Sequence, residues 1–119
     1  MITDAESRVM DILWTRAPQT ADEIVAALLP QQDWQEATIK TFLNRLLKKG
    51  AIRAEYEGRR YQYFPVLARA DWVDAESRSV LDRLFGGRVA PLVAHFSERE
   101  TLSREDIAAL RTLIDELDR

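Results

Sequence analysis

Apolar residues recur at three- and four-residue spacing through the first part of the chain, as they do in amphipathic helices. A Thr-x-x-Glu pattern precedes each of the first two apolar runs, at Thr3 with Glu6 and at Thr20 with Glu23. This pattern is typical of a capping box, in which the hydroxyl and the carboxylate bond the open backbone amides of a helix start. We therefore predict three helices, at about residues 4–16, 21–29 and 35–49.

The third predicted helix has two different faces. The apolar face carries Ile39, Phe42, Leu43, Leu46 and Leu47. The opposite face carries Ala37, Thr38, Thr41, Asn44, Arg45 and Lys48, with Lys40 on its flank. Lys48-Lys49-Gly50 suits a helix end, because cations complement the helix dipole and glycine adopts the left-handed cap.

Two strands with alternating side chains follow, at about residues 52–57 and 60–65. Gly58 lies between them and indicates a tight hairpin, whose tip also carries Arg59 and Arg60. A helix with a polar and basic outer face beside a hairpin with a basic tip is the layout of a winged-helix DNA reader.

The remaining chain is again helical, at about residues 69–85 and 90–96 and from Ser103 to near Leu117. These segments are small for an independent core, and their apolar faces are too wide for one small neighbour to cover. We therefore predict a homodimer. Its expected contact residues are Val80, Leu81, Leu84, Phe85, Leu92, Phe96, Ile107, Leu110, Ile114 and Leu117.

The predicted fold class is mainly α with a small β-hairpin. We expect a winged helix-turn-helix DNA-binding domain at residues 1–67 and a helical dimerisation segment at residues 68–119. Apolar residues make up 46% of the 119 residues, which is enough for a core. There is no membrane-span-length apolar run and no signal peptide, so we expect a cytoplasmic protein without membrane insertion.

The net charge of −3 hides a segregation of charge along the chain. Residues 38–60 contain seven Lys/Arg and two acids, whereas residues 68–119 contain eight Arg and eleven acids. A local basic patch matters more for phosphate binding than the total charge, because salt screens each charge over about 10 Å.

Within the DNA-binding interpretation, the polar residues have different expected roles. Candidates for base contact are Thr38, Thr41 and Arg45, and Gln35 or Ala37 also lie near the helix start. Candidates for phosphate contact are Lys40, Asn44, Lys48, Arg59 and Arg60. The alternative for this face is a solvated surface, and the alternative for Arg53 is a plain strand charge. Tyr61 and Tyr63 are expected to pack in the core or within the hairpin.

Catalytic and metal sites find little support in the sequence. There is no cysteine, and His95 is the single histidine, without a second ligand type nearby. No nucleophile motif or carboxylate pair accompanies it. We therefore expect no enzyme activity, no metal and no cofactor.

Several stretches together resemble the penicillinase-repressor family, the BlaI/MecI/CopY type of winged-helix repressors. They are AESRVMDILW, TADEIVAAL, W-x-x-x-T-I-K-T-F-L-N-R-L-x-K-K-G from Trp34 to Gly50, EGRRYQYFPV, and RSVLDRLFGGRVAPLVAHF from Arg78 to Phe96. The resemblance covers nearly the whole chain.

This resemblance implies a homodimeric transcriptional repressor that binds a palindromic double-stranded operator, in the best-known branch before β-lactam-resistance genes. It also implies release through cleavage by a membrane sensor-protease, at a bond that corresponds here to His95-Phe96. The cysteines of the copper-responsive branch are absent. The rival hypothesis is a winged-helix module that binds acidic protein partners without specific DNA binding.

Overall fold

The computed structural model describes residues 1–119 and contains six helices and one antiparallel sheet of three strands. The helices are α1 (Asp4–Thr15), α2 (Ala21–Leu28), α3 (Glu36–Lys48), α4 (Arg69–Phe85), α5 (Val89–Glu98) and α6 (Arg104–Leu117). The strands are β1 (Gln19–Thr20), β2 (Ile52–Glu57) and β3 (Arg60–Pro65), in the order β1-β3-β2. The predicted fold class is therefore confirmed.

The chain divides into two compact units, Met1–Val73 and Asp74–Arg119. Helix α4 begins in the first unit and ends in the second. The functional division predicted between residues 67 and 68 stays a prediction.

The core of the first unit forms where α1, α2 and α3 meet the start of the hairpin. Each helix contributes the apolar stripe that its spacing predicts, and burial of one such side chain stabilises the fold by about 1.5–3 kcal/mol. The fully buried apolar residues are Val9, Met10, Leu13, Ile24, Leu28, Ile39 and Leu46, with Leu43 and Ile52 almost as deeply covered.

Both capping boxes are present, as predicted. The Thr3 hydroxyl accepts from the Glu6 amide at 3.1 Å, and the Glu6 carboxylate accepts from the Thr3 amide at 2.8 Å. Thr20 and Glu23 repeat the arrangement at 3.2 and 3.1 Å. The two boxes therefore fix where α1 and α2 begin.

Strand β1 was not predicted from the sequence. It pairs with β3 through Gln19 opposite Tyr63 and Thr20 opposite Gln62, so the predicted hairpin becomes a three-stranded sheet. The side-chain amide of Gln19 is buried and donates to the carbonyls of Ile12 at 3.0 Å and Arg16 at 2.6 Å. Two residues are too few to show an alternating pattern, which is why the sequence did not indicate this strand.

The second unit contains the end of α4 together with α5 and α6. None of these three helices has a buried residue, and the last buried residue of the chain is Ile52. No helix of the protein has both the length and the apolar character needed to cross a membrane.

Candidate nucleic-acid interface

Helix α3 presents a continuous polar face on the side away from the core. Ile39, Leu43 and Leu46 are buried, and the 3.6-residue period of the helix turns the intervening positions outward. Of the predicted DNA-contact residues on α3, Thr38 is half-buried. The exposed ones are Lys40, Thr41, Asn44, Arg45 and Lys48.

The C-terminal end of α3 is closed by a Schellman cap. The amide of Ala51 donates to the Leu46 carbonyl at 3.0 Å, and that of Gly50 donates to the Leu47 carbonyl at 3.1 Å. Gly50 has a φ of 75°, which glycine adopts without the steric cost that other residues incur. The predicted end of the third helix is thereby confirmed to within one residue.

An ion pair joins this end of α3 to the start of α1. The Lys49 ammonium lies 2.6 Å from a carboxylate oxygen of Glu6, whose side chain is 1% exposed, and donates to the Met1 carbonyl at 3.1 Å. Burial raises the pKa of Glu6, but the hydrogen bonds from Lys49 and Thr3 outweigh it, so the pKa is lowered overall. The Thr-x-x-Glu spacing predicted only the capping role of Glu6 and not this link, which spans 43 residues.

Aromatic packing joins the loop before α3 to the middle of that helix. Trp34 contacts Phe42 edge-on with 5.1 Å between ring centroids, and the Arg45 guanidinium lies 5.9 Å from the Phe42 centroid. Contact with a ring face restrains an arginine without neutralising its charge. Arg45 is therefore partly positioned and still charged.

The hydroxyl of Thr41 donates to the Ala37 carbonyl at 3.0 Å, within the same helix. Its hydrogen is therefore engaged, and the methyl group and the oxygen lone pairs remain for an external partner. This arrangement suits contact with a thymine methyl group better than donation to a phosphate.

The basic residues of segment 38–60 fall into two groups. Lys40 pairs with Glu36 at 3.3 Å, Lys49 pairs with Glu6, and Arg53 pairs with Glu55. The cations that form no ion pair are Arg45, Lys48, Arg59 and Arg60. The uncompensated positive charge of the segment therefore belongs to α3 and to the hairpin tip.

The hairpin tip is a two-residue turn, Gly58-Arg59, closed by Glu57 opposite Arg60. Gly58 has a φ of 65°, and Arg59 is not in the left-handed region, as in a type II′ turn. Both arginines are exposed. Arg53 lies on the strand instead, 4.0 Å from the centroid of the Phe64 ring, so its charge and its ring contact stay within the hairpin.

The predicted hairpin tyrosines differ in environment. Tyr63 is half-buried and packs against the core, whereas Tyr61 contacts Tyr56 edge-on at 5.0 Å and both of these are largely exposed. Alternate positions of a strand share a face, so Tyr56 lies on the same face as Ile52, but it lies beyond the end of the core.

The predicted dimerisation residues all lie on α4, α5 and α6 of the second unit. Leu84, Phe96, Ile107, Ile114 and Leu117 are exposed, at 65, 43, 39, 59 and 84%. The half-buried ones are Val80, Leu81, Phe85, Leu92 and Leu110. Two shallow depressions between α5 and α6 share Val93, Leu102 and Leu110 in their linings.

His95 and Phe96 lie in α5 and are both exposed. The His95 ring contacts the rings of Phe85 and Phe96, with centroid distances of 6.1 and 5.5 Å. No group of three or more His, Cys, Asp or Glu residues is placed to hold a metal ion.

Comparisons with known proteins agree with this architecture. The profile of the family described as "Penicillinase repressor" matches residues 2–116. The penicillinase repressor of Bacillus licheniformis is 35% identical over 97% of this chain and 90% of its own length. The methicillin resistance regulatory protein MecI of Staphylococcus aureus (strain N315) is 32% identical over 96% of this chain and 93% of its own length.

Two solved structures are similar to the N-terminal part. The solution structure of the DNA-binding domain of the repressor BlaI superposes with a TM-score of 0.55 and 37% identity, over 60% of this chain and 87% of that domain. Monomeric Bacillus licheniformis BlaI in complex with the blaP half-operator gives a TM-score of 0.54 at the same identity and the same coverage of both chains. From the match along residues 2–116 and the winged-helix architecture, the chain belongs to the penicillinase repressor family.

Proposed function

We propose that this protein is a sequence-specific DNA-binding transcriptional repressor that acts as a homodimer on a palindromic operator. The polar face of α3 enters the major groove, which is wide enough for a helix. Thr38, Thr41 and Arg45 contact base edges. The phosphate contacts come from Lys40, Asn44, Lys48, Arg59 and Arg60.

The observation that carries this proposal is the placement of unpaired positive charge in an acidic protein. The net charge is −3, yet residues 38–60 carry seven basic and two acidic side chains, and four of these basic residues form no ion pair: Arg45, Lys48, Arg59 and Arg60. Unpaired cations next to short hydrogen-bonding side chains suit a polyanion whose bases present donors and acceptors. The half-operator complex of BlaI, a protein of similar fold, supports the same assignment.

The second unit supports the homodimer. A segment without one buried side chain gains little free energy from its own fold, and its exposed leucines and isoleucines form an apolar surface that water contacts. A second copy of the same segment supplies a matching apolar surface in a twofold interface. The dimer then places two α3 helices on two half-sites, about one turn of DNA apart or a multiple of it.

Release from DNA requires only that the dimer weakens. Cleavage between His95 and Phe96 by a membrane sensor-protease divides the chain within α5 and separates α6 from the rest. Both residues are exposed in the single chain. Relatives named for penicillinase and for methicillin resistance make β-lactam-resistance genes the proposed targets.

The proposal is tested by a mobility shift with the promoter of the protein's own or a neighbouring gene, at two salt concentrations. We expect sequence preference together with a steep loss of affinity as salt rises, because phosphate contacts release counterions. Binding without sequence preference, or no binding, would instead favour a module that recognises acidic proteins.

Arg45→Ala is the decisive variant in this assay. We expect it to weaken operator binding by about 1–3 kcal/mol and to relax the sequence preference, because one base contact is lost. Arg78→Ala removes the same charge from α4, where Arg78 is paired with Asp74, and should leave affinity unchanged. Unaltered operator binding by the Arg45→Ala variant would contradict the proposal that this face of α3 contacts the DNA bases.

A further inference from the structure

The outer end of the hairpin carries an aromatic pair that the fold does not cover. Tyr56 and Tyr61 are opposite each other in the β2–β3 register and contact edge-on with 5.0 Å between centroids. Their exposed fractions are 63 and 56%, and neither packs against the core. Their main aromatic contact is with each other.

The two rings lie on a face of the hairpin that has no acidic residue. Residues opposite each other in an antiparallel pair point to the same side, and the sides alternate along the strands. Ile52 and Tyr63 therefore share the side of the tyrosine pair, while Glu55 and Glu57 point to the other side. The carboxylates of the hairpin itself are thus separated from the rings by the thickness of the sheet, although Asp22 of α2 lines a depression together with Tyr61.

The turn beside this pair supplies positive charge. Arg59 lies in the turn and forms no ion pair, whereas Arg60 lies opposite Glu57 and therefore points to the side of Glu57. The chemistry on and beside this face is therefore two exposed rings, two phenolic hydroxyls and the guanidinium group of Arg59 in the adjacent turn. An apolar protein partner would leave the charge of Arg59 without a counter-charge. A carboxylate-rich partner would leave the two rings without an apolar contact.

The backbone of a DNA duplex can contact both the rings and the positive charge. The apolar edge of deoxyribose packs on an aromatic ring, and a phosphate oxygen accepts from a tyrosine hydroxyl. We infer that Tyr56 and Tyr61 form a second DNA contact, in which their rings pack on the sugars and their hydroxyls donate to the phosphates flanking the base pairs that α3 reads. This inference rests on the proposed function and adds a contact that is largely independent of ionic charge.

The inference is tested with the full chain and two operator duplexes. One ends at the base pairs that α3 contacts, and the other extends by about five base pairs, half a helical turn, on each side. The double variant Tyr56→Ala/Tyr61→Ala should bind the long duplex at least about tenfold more weakly than the wild type, because tenfold is the scale of one lost hydrogen bond to a charged acceptor and this variant loses both hydroxyls and both rings. On the short duplex the two proteins should differ by less than about twofold, and their salt dependences should be the same on both.

Two further variants separate the parts of the contact. Tyr56→Phe/Tyr61→Phe keeps the rings and should lose an intermediate factor on the long duplex, and it decides the question if the alanine variant does not fold. Arg59→Ala should instead reduce the salt dependence, because it removes a charge from a phosphate contact.

Equal binding of the tyrosine variants and the wild type to the long duplex would overturn the inference. An equal loss on both duplexes would also overturn it, because the residues would then act through the shape of the hairpin. If the wild type shows no operator preference on either duplex, the proposed function fails instead.

Discussion

At the scale of single residues, the ion pairs decide which basic side chains are available to a polyanion. Lys40 and Lys48 lie on the same helix, but only Lys40 has a carboxylate partner, Glu36 at 3.3 Å. A phosphate contact from Lys40 must compete with that carboxylate. The sequence predicted the same phosphate-contact role for both lysines, because the i, i+4 spacing of Glu36 and Lys40 does not show whether their side chains form an ion pair.

We predict that the charge-balanced variant Glu36→Gln/Lys40→Gln weakens operator binding less than Lys48→Gln does, since the lost phosphate contact of Lys40 is partly offset by the removal of a carboxylate that repels DNA. Lys48→Gln should lower affinity for all sequences alike and reduce the slope of log K against log salt by about one. Mobility shifts at several salt concentrations measure both. Equal slopes for the two variants would contradict this ranking.

The Glu6–Lys49 pair should make stability depend on pH. The folded pKa of Glu6 is lowered from its ordinary value of 4.5, so its stabilisation is present above that value and is lost as pH falls through the folded pKa. Glu6→Gln should therefore reduce the free energy of unfolding by about 1–2 kcal/mol at pH 7, and by progressively less below pH 4.5. Urea unfolding at fixed protein concentration measures the difference.

Glu23→Gln is the matched control, because Glu23 occupies the same position in the second capping box. Its partner Arg16 is 61% exposed and Glu23 itself 44%, so water and salt screen that pair. The effect of Glu23→Gln should be smaller at every pH. A pH-independent loss in Glu6→Gln would show that the carboxylate charge is not what stabilises this contact.

At the scale of helices and strands, α3 and α5 end in the same type of C-terminal cap, but with different residues in its left-handed position. Helix α5 ends like α3: the Thr101 amide donates to the Phe96 carbonyl at 3.0 Å, and the Glu100 amide donates to the Ser97 carbonyl at 3.1 Å. The left-handed position is Gly50 after α3 but Glu100 after α5, with a φ of 55°. A residue with a Cβ atom is strained in this conformation.

Glu100→Gly should therefore raise the free energy of unfolding by up to about 1 kcal/mol, because it relieves that strain. Gly50→Ala, which creates the same strain after α3, should lower it by a similar amount. Thermal unfolding of the two variants at matched concentration checks the opposite signs. A loss of stability in Glu100→Gly would mean that the Glu100 side chain contributes more than its backbone conformation costs.

The elements of this fold were largely predictable because local chemistry marks them. The capping boxes indicated where α1 and α2 begin, and Lys49-Gly50 indicated where α3 ends. Strands β2 and β3 and helix α4 have the predicted bounds. Strand β1 was missed because its pairing depends on the distant strand β3. For the same reason the sequence indicated the polar face of α3 but not the contact of Glu6 with Lys49, nor that Tyr56 lies beyond the core.

At the scale of the whole molecule, the proposed dimer predicts a disruptive change on α6. Leu110 lines both depressions between α5 and α6. Leu110→Asp places a charge on this apolar surface, so we expect monomers at micromolar concentration. Operator binding should also be weaker, because a monomer loses the avidity of a second half-site. Thr112→Asp adds the same charge at an exposed position of the same helix and should remain dimeric. Sedimentation velocity distinguishes these states, and a dimeric Leu110→Asp would exclude this interface.

No side chain after Ile52 is buried, although the chain continues for three further helices. In the proposed dimer, the population of assembled molecules rises with the square of the monomer concentration while the protein is scarce. Repression of the controlled gene would then depend more steeply than linearly on the cellular concentration of the protein. A twofold fall in its synthesis would lower the concentration of the DNA-binding dimer by roughly fourfold, without any inducer.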